Sequence, residues 1–347
     1  MRASLDNIVT HLRKHYPQLN IIVEADVWKN IASRHPYLIP AYSRASNSLL
    51  AHTDERSLLT DKTDFIITLG GDGSVLHVSS LFDKGPVPPV LSFSLGTLGF
   101  LLPYDISSFP AAIDDVLHAR FSLFMRMRMC LTLWGANPDQ CLYLPGEKFC
   151  RELHFMNEVV LHRGREPHMT TMDAFVNCEH LTRTVADGLI LSTPTGSTAY
   201  SLSTGGPIVH PNVSTMLLTP ISPRSLSFRT ILLPNDARVQ VFVARGSRSP
   251  AEVSVDGRVI HTLAPLESAC VEMSPYFLPC VHFGPKANAA RRIGDVDAEK
   301  PAMILDDWVY DINSRLRFNA PFQARDQHSS SDAQAMLQTY SASLRRR

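Results

Sequence analysis

The chain is short of the features that mark several large classes of protein. Lys+Arg and Asp+Glu both number 33 in 347 residues, so no global basic field points to nucleic acid as a partner. No apolar run approaches the roughly 18 residues that cross a bilayer as a helix, and no membrane partner is expected. The six cysteines, at 130, 141, 150, 178, 270 and 280, form no CxxC pair and no zinc spacing, which reads as reduced thiols in an intracellular protein. His162, His168, His210 and His261 are not spaced as ligands and read as surface or hydrogen-bonding residues rather than a metal centre. The start, Met1-Arg2-Ala3-Ser4-Leu5-Asp6, has neither the apolar core of a secretory signal nor the character of a transit peptide. What remains is a globular chain without internal repeats, 44% hydrophobic and long enough for two packed domains.

One stretch stands out, Asp64-Phe65-Ile66-Ile67-Thr68-Leu69-Gly70-Gly71-Asp72-Gly73-Ser74-Val75-Leu76. An apolar run of strand length enters three glycines, a carboxylate and a hydroxyl, after which Val75, Leu76 and Val78 suit a helix. That pattern makes a phosphate cradle: glycines let a polyphosphate approach successive amides, and the helix aims its N-terminus at the anion. Asp72 would repel phosphates unless it binds a metal or accepts a proton, so its presence points to chemistry. The plain alternative is a tight turn in which Asp72 or Ser74 caps the helix.

Taken in order, Leu5, Ile8, Val9 and Leu12 predict a helix and Asn20-Ile21-Ile22-Val23 a strand. A strand would normally precede that helix, so the chain is expected to begin partway through its first repeat. Helical stretches are predicted at Val27 to Ser33 and Glu55 to Leu59. After Pro86-Val87-Pro88-Pro89, the strand Val90-Leu91-Ser92-Phe93 leads into a second glycine loop, Gly96-Thr97-Leu98-Gly99-Phe100-Leu101. Ser107 and Pro110 open a helix to about Arg120, completing a Rossmann-like α/β domain over 1–120 with both loops at strand ends, where such sheets bind ligands. From Phe121 the texture changes. Met127, Met129, Leu131 and Leu133 alternate with Arg126, Arg128, Cys130 and Thr132, predicting a strand with one wet face. Short strands follow at Phe155 to Leu161, Thr171 to Val176, Thr182 to Val185, Leu189 to Ser192, Met216 to Thr219, Val239 to Val243 and Glu252 to Val255, giving a β-rich second domain over 121–295. Trp308, Val309, Ile312 and Leu316 predict one helix within 301–322, and the Ser-rich, Arg-ended tail 323–347 reads as disordered.

Two stretches of the second domain carry chemistry. Met156-Asn157-Glu158-Val159 puts an amide and a carboxylate inside an apolar strand, where a lone buried Glu is costly; the alternative is an edge strand with Glu158 in solvent. Ala186-Asp187-Gly188 opens the other, which ends in Thr193-Pro194-Thr195-Gly196-Ser197-Thr198-Ala199-Tyr200-Ser201-Leu202-Ser203. Seven hydroxyls between 192 and 203 make a mouth suited to a ribose, an amide or a phosphate, with Tyr200 able to stack on a ring and a helix able to start at Thr198. A bland Ser/Thr loop is the alternative.

Taken together, Gly70-Gly71-Asp72-Gly73, Gly96 to Leu101, Asn157-Glu158, Ala186-Asp187-Gly188 and Thr193 to Ser201 resemble, in order and spacing, the ATP-dependent NAD kinases. Ser225-Leu226-Ser227-Phe228-Arg229 and Ser254-Val255-Asp256-Gly257 extend the resemblance over roughly 60 to 260. The Gly-Gly-Asp-Gly element alone is shared with diacylglycerol-type lipid kinases and phosphofructokinases, so the later segments choose the branch. Within the family, His162-Arg163-Gly164, Pro167-His168 and Arg224 look most like the fungal mitochondrial NADH kinases. Ser74 departs from the more usual Thr, and Val185 stands where some bacterial relatives have Arg.

The resemblance implies an α/β nucleotide-binding domain, completed by the C-terminal helix, and a β-sandwich acceptor domain. It implies transfer of the ATP γ-phosphate to the 2′-hydroxyl of the adenosine ribose of NAD or NADH, with Mg²⁺. On it, Gly70, Gly71, Gly73 and Ser74 hold phosphates and Asp72 accepts or orients the hydroxyl proton. Asp72, Gly73, Asn157, Glu158, His168, Asp187, Thr198, Ala199, Tyr200, Ser201, Leu202 and Ser203 line the acceptor site. It further implies a homodimer or homotetramer, and a mitochondrial matrix location with a cytoplasmic one as the alternative, since no transit peptide is visible. The competing functions are a lipid kinase sharing the glycine loop and a non-catalytic NAD-binding regulator.

Overall fold

The computed structural model describes residues 2–41, 59–82, 85–96, 99–137 and 152–283, with 308, 309, 312 and 316 beyond them. The chain divides into two compact units, Met1–Ala302 and Met303–Arg347. In the second, Trp308, Val309, Ile312 and Leu316 are helical as their spacing predicts, and Ile312 is buried. The rest of the expected 301–322 helix and the 323–347 tail lie outside the described residues.

In the first unit, strands Ile66–Gly70 and Val90–Ser94 lie parallel, with Ile66 opposite Val90 and Gly70 opposite Ser94. All five residues of Val90–Ser94 are buried, as expected of a parallel strand covered on both faces. Leu91 and Phe93 pack with Ile8, Leu12, Ala112, Ile113 and Val116, which belong to helices Arg2–His15 and Phe109–Leu117. Val90 packs the other way, against Val75 and Val78 of helix Asp72–Leu81. Strand Ile22–Val23 stands apart, paired in parallel with Ile39–Pro40 in a two-stranded sheet.

The domain boundary expected at residue 120 is crossed by this sheet. Strand Leu278–His282 pairs with Val90–Ser94 at Cys280 and Val90, and Ser122–Arg126 runs antiparallel to Leu278–His282 at the edge. Backbone groups at the open side of a small parallel sheet need partners, and the returning chain supplies them.

The remaining strands form two six-stranded antiparallel sheets. One runs, in order, Glu179–Ala186, Thr170–Val176, Val239–Val243, Ser268–Met273, Met129–Trp134 and Leu153–Phe155. The other runs Ile231–Pro234, Thr215–Ile221, Gly188–Ser192, Glu158–His162, Ala251–Val255 and Arg258–Leu263. Alternate side chains from both sheets, such as Met129, Leu131, Phe155, Val159, Leu161, Leu189, Leu191 and Val241, meet in one core, which is the expected sandwich.

Two local expectations are corrected. The strand predicted across Phe155 to Leu161 is two strands in different sheets, with the chain crossing over at Met156 and Asn157. The wet face predicted around residue 128 is not wet: Arg128 and Cys130 are buried. Arg128 donates to the carbonyls of Tyr276, Ser79 and Phe82, the last two at the C-terminal end of helix Asp72–Leu81, where backbone acceptors lack helical partners.

Candidate active site

The glycine cradle forms where Ile66–Gly70 ends. Gly70 takes φ +153°, a backbone conformation that L side chains rarely adopt, and Gly71 sits at the N-cap of helix Asp72–Leu81. No side chain caps this helix, so the cap alternative for Asp72 is overturned. Ser74 does bond locally, its hydroxyl donating to the Gly71 carbonyl at 2.6 Å. Asp72 instead reaches the second glycine loop: Oδ2 accepts from the Phe100 amide at 3.0 Å and Oδ1 from the Leu101 amide at 2.9 Å. Gly99 makes this approach possible, since a Cβ there would lie 1.8 Å from Asp72 Oδ1.

The crossover at Met156 and Asn157 faces this loop through Met156, which packs in one cluster with Val75, Val78 and Leu101. A chain leaving one sheet for another exposes amides without ladder partners. Asp256 satisfies them, accepting from Met156 at 3.1 Å, Asn157 at 2.8 Å and Glu158 at 3.2 Å. Its own amide returns a bond to the Glu158 carbonyl at 3.0 Å. This is why the Asp256-Gly257 turn matters: Asp256 itself adopts φ 45° there. From the opposite side, Thr193 donates its hydroxyl to the Met156 carbonyl and its amide to that of Asn157. Gly196 lies against Asn157 so closely that a Cβ would meet the Asn157 carbonyl oxygen at 2.2 Å.

Glu158 is therefore buried in an interior strand, and the solvent-exposed alternative is overturned. Its carboxyl is pushed up to about 7 by burial and then by the charge of Asp256, partly offset by the backbone N–H of Tyr200. Burial likewise pushes Asp256 up, against the three amides it accepts. Glu158 Oε2 has no hydrogen-bond partner among the described residues. Asn157, the preceding residue, is half-buried.

The hydroxyl-rich segment forms a 3₁₀ turn, Thr195–Thr198, then the short helix Tyr200–Ser203, so the helix starts two residues later than expected. Several hydroxyls are structural. Ser197 exchanges bonds with the Val209 backbone, Thr198 donates to the Thr195 carbonyl, and Ser201, fully buried, pairs with Thr219 at 3.0 Å. Tyr200 and Ser203 are exposed, Ala199 and Leu202 half-buried. Two expected site residues stand away from this bonded network. Asp187 pairs with Arg163 at 2.7 Å, and His168 lies exposed in the turn after His162. A residue that sequence reasoning missed joins the two loops: Arg126 approaches the Phe100 carbonyl and Thr195 Oγ1, each at 3.4 Å.

Comparison with known proteins gives the same outline. The model of the ATP-NAD kinase N-terminal domain matches residues 19–121 and that of the ATP-NAD kinase C-terminal domain matches 156–283. A mitochondrial NADH kinase of Schizosaccharomyces pombe is 41% identical over 321 residues, 92% of this chain and 72% of the relative. This chain belongs to the ATP-NAD kinase family. Another member, a mitochondrial NADH kinase of Saccharomyces cerevisiae, is 34% identical over 95% of this chain and 80% of its own. The crystal structure of yeast NADH kinase complexed with NADH superposes with a TM-score of 0.73 at 34% identity, covering 94% of this chain and 86% of that one. An NAD kinase from Archaeoglobus fulgidus in complex with ATP, 20% identical with a TM-score of 0.52 over 78% of this chain and 94% of that one, shares the fold.

Proposed function

We propose that this NAD(H) kinase transfers the γ-phosphoryl group of ATP to the 2′-hydroxyl of the adenosine ribose of NAD or NADH, giving NADP or NADPH. One observation carries the reading: Asp72, at the head of the helix that follows the glycine cradle, is gripped by the second glycine loop beside the crossover bearing Asn157 and Glu158. A carboxylate has about four lone-pair sites, so the two amide bonds fix its orientation and leave others for the hydroxyl. The 2′-oxygen bonds to the γ-phosphorus as the bond to ADP breaks, and its proton passes to Asp72. Positioning and charge stabilisation supply most of the catalysis in such transfers.

In this reading the amides of Gly70, Gly71 and Gly73 cradle phosphates, and Ser74 joins them only by turning its hydroxyl from Gly71. Asn157 and Glu158 orient the acceptor, with Thr198, Ala199, Tyr200, Leu202 and Ser203 at the rim, Ser201 supporting them from inside, and Asp187 and His168 further out. The two glycine loops do not by themselves form an all-protein magnesium cage: Asp72 is their one carboxylate, and both its oxygens accept amides. Mg²⁺ bound largely through substrate phosphates and water fits that donor set, and no step here depends on it. By likeness to the fungal mitochondrial NADH kinases we also propose a mitochondrial location and a preference for NADH, and, from the family resemblance of the sequence, a homodimer or homotetramer.

The test is phosphorylation of NAD and of NADH, in parallel at matched concentrations, by the purified protein with ATP and Mg²⁺. Formation of NADP or NADPH is expected, and faster use of NADH supports the mitochondrial branch. Phosphorylation of neither overturns the proposal. Turnover of diacylglycerol would then restore the lipid-kinase reading, and dinucleotide binding without turnover the regulator.

A further inference from the structure

Arg126 ends the edge strand Ser122–Arg126, on which Leu123 and Met125 face solvent while Phe124 and Arg126 turn inward. Its guanidinium lies over the Phe124 ring, 5.0 Å from the centroid. Its polar contacts are poor for a group with five donors. The Phe100 carbonyl and Thr195 hydroxyl, each at 3.4 Å, are neutral and near the outer limit of a hydrogen bond. Nε is buried without a hydrogen-bond partner among the described residues. The Cys280 thiol is pushed up by burial and drawn down by the Arg126 charge and by a hydrogen bond with it, a third contact that is neutral while the thiol keeps its proton. No carboxylate pairs with Arg126 among the described residues, in contrast to Arg34, Arg120, Arg163, Arg183 and Arg238.

A half-buried cation with weak neutral contacts has lost hydration without gaining a counter-charge. Its placement says what would supply one. Phe100 is the residue whose amide holds Asp72 Oδ2, and Thr195 belongs to the turn that Gly196 seats against Asn157. Arg126 thus touches both loops that flank the proposed reaction, and a guanidinium binds phosphate oxygens in a planar, bidentate manner.

Resting on the kinase reading above, we propose that Arg126 is a phosphate-binding residue that holds Phe100 and the Thr195 turn together around the phosphates of a reacting nucleotide. The chemistry is that of a phosphoanhydride, present in the ATP tail and in the dinucleotide pyrophosphate. Removing the charge then relieves an uncompensated cost in the free protein and, at the same time, weakens anion binding.

The experiment compares wild type, Arg126→Met and Arg126→Lys in thermal unfolding, with and without inorganic tripolyphosphate and pyrophosphate, and in steady-state kinetics with each substrate varied. Arg126→Met is expected to melt at or above the wild-type temperature without ligand and to lose most of the stabilisation by tripolyphosphate or pyrophosphate. Charge-assisted bonds of this kind are worth about tenfold or more in affinity, so KM for one nucleotide should rise by at least about tenfold. A rise confined to ATP assigns the donor tail, and one confined to NAD or NADH the acceptor pyrophosphate. Arg126→Lys, which keeps charge but not the planar fork, should recover part of the loss. A variant that melts lower yet keeps its response to both anions and both KM values overturns the proposal and leaves Arg126 a packing residue; so does a wild type that neither anion stabilises. If Arg126→Met does not fold, unchanged KM values in Arg126→Lys overturn it too. Because the melting experiment needs no turnover, failure of the kinase reading would be seen separately, as inactive wild type.

Discussion

Glu158→Gln should make the free protein more stable at neutral pH, and the gain should vanish in acid. The carboxyl, at about 7 in the folded chain, has 4.5 as its unperturbed value. The folded protein therefore holds a proton that the unfolded chain releases, and stability attributable to this group falls as pH rises through that interval. At about 1.4 kcal/mol for each pH unit crossed, the wild type loses about 3 kcal/mol between pH 4.5 and 7, then levels off. Glutamine has nearly the same shape, cannot ionise, and still offers an oxygen to the Tyr200 amide. The assay is urea unfolding of both proteins, without nucleotide, at half-unit steps from pH 4 to 8, with the difference in stability plotted against pH. The difference should be smallest near pH 4.5 and favour Glu158→Gln by a few kcal/mol above 7. Asp256 titrates in both proteins, and its own background largely cancels in the difference. Two curves that run parallel across the interval would refute the reasoning, because they would mean that Glu158 is solvated as it is in the unfolded chain.

Asp72→Asn should abolish most turnover and loosen the second glycine loop by about 1–3 kcal/mol, since one of the Phe100 and Leu101 amides would face an NH₂ group; kcat and a melting curve check the two effects. Gly99→Ala should cut kcat while leaving the sandwich folded, because the new methyl must displace Asp72, and near-normal kcat would show that the loop does not hold the carboxylate in the reacting state. Asp256→Ala strips three crossover amides of their acceptor and should cost several kcal/mol in unfolding measurements, with activity lost even where the protein remains folded. Acceptor binding should release protons near pH 7 if a ribose hydroxyl donates to Glu158, which calorimetry in buffers of different ionisation heat would detect as a buffer-dependent enthalpy.

Much of the α/β half was legible because its signals are local. Ile66–Gly70, the glycines and the Val75, Leu76, Val78 pattern lie within a dozen residues, and the structure forms the strand, cradle and helix they predict. Features set by distant partners were not legible. Nothing in the residues around Arg128 says that helix Asp72–Leu81 ends nearby with carbonyls to satisfy, so alternation alone read its side chain as wet. The crossover at Met156 and Asn157 hides inside an apolar run without glycine or proline, because Asp256, about a hundred residues on, supplies the acceptor that a turn residue would otherwise provide locally. Arg126 escaped for a similar reason: its neighbours Phe100 and Thr195 lie in loops far from it in sequence.

The position of the site follows from the same need for backbone partners. A sandwich whose chain changes sheet must leave amides and carbonyls unladdered at the crossing, and here these are met by a carboxylate, a hydroxyl and a glycine approach from Asp256, Thr193 and Gly196. Asp256 lies far in sequence both from the crossing and from the turn that carries Thr193 and Gly196, so the crossing is satisfied only when the second sheet and the hydroxyl-rich turn are both in place. The result is a fully bonded backbone crossing near Asp72 and an acidic side chain, Glu158, held in a dry setting with one oxygen left without a hydrogen-bond partner among the described residues. An apolar residue at 158 would spare the protein that cost. The structure keeps an acid there, and on the proposed function an acceptor group donating to that oxygen would recover energy that folding alone leaves unused.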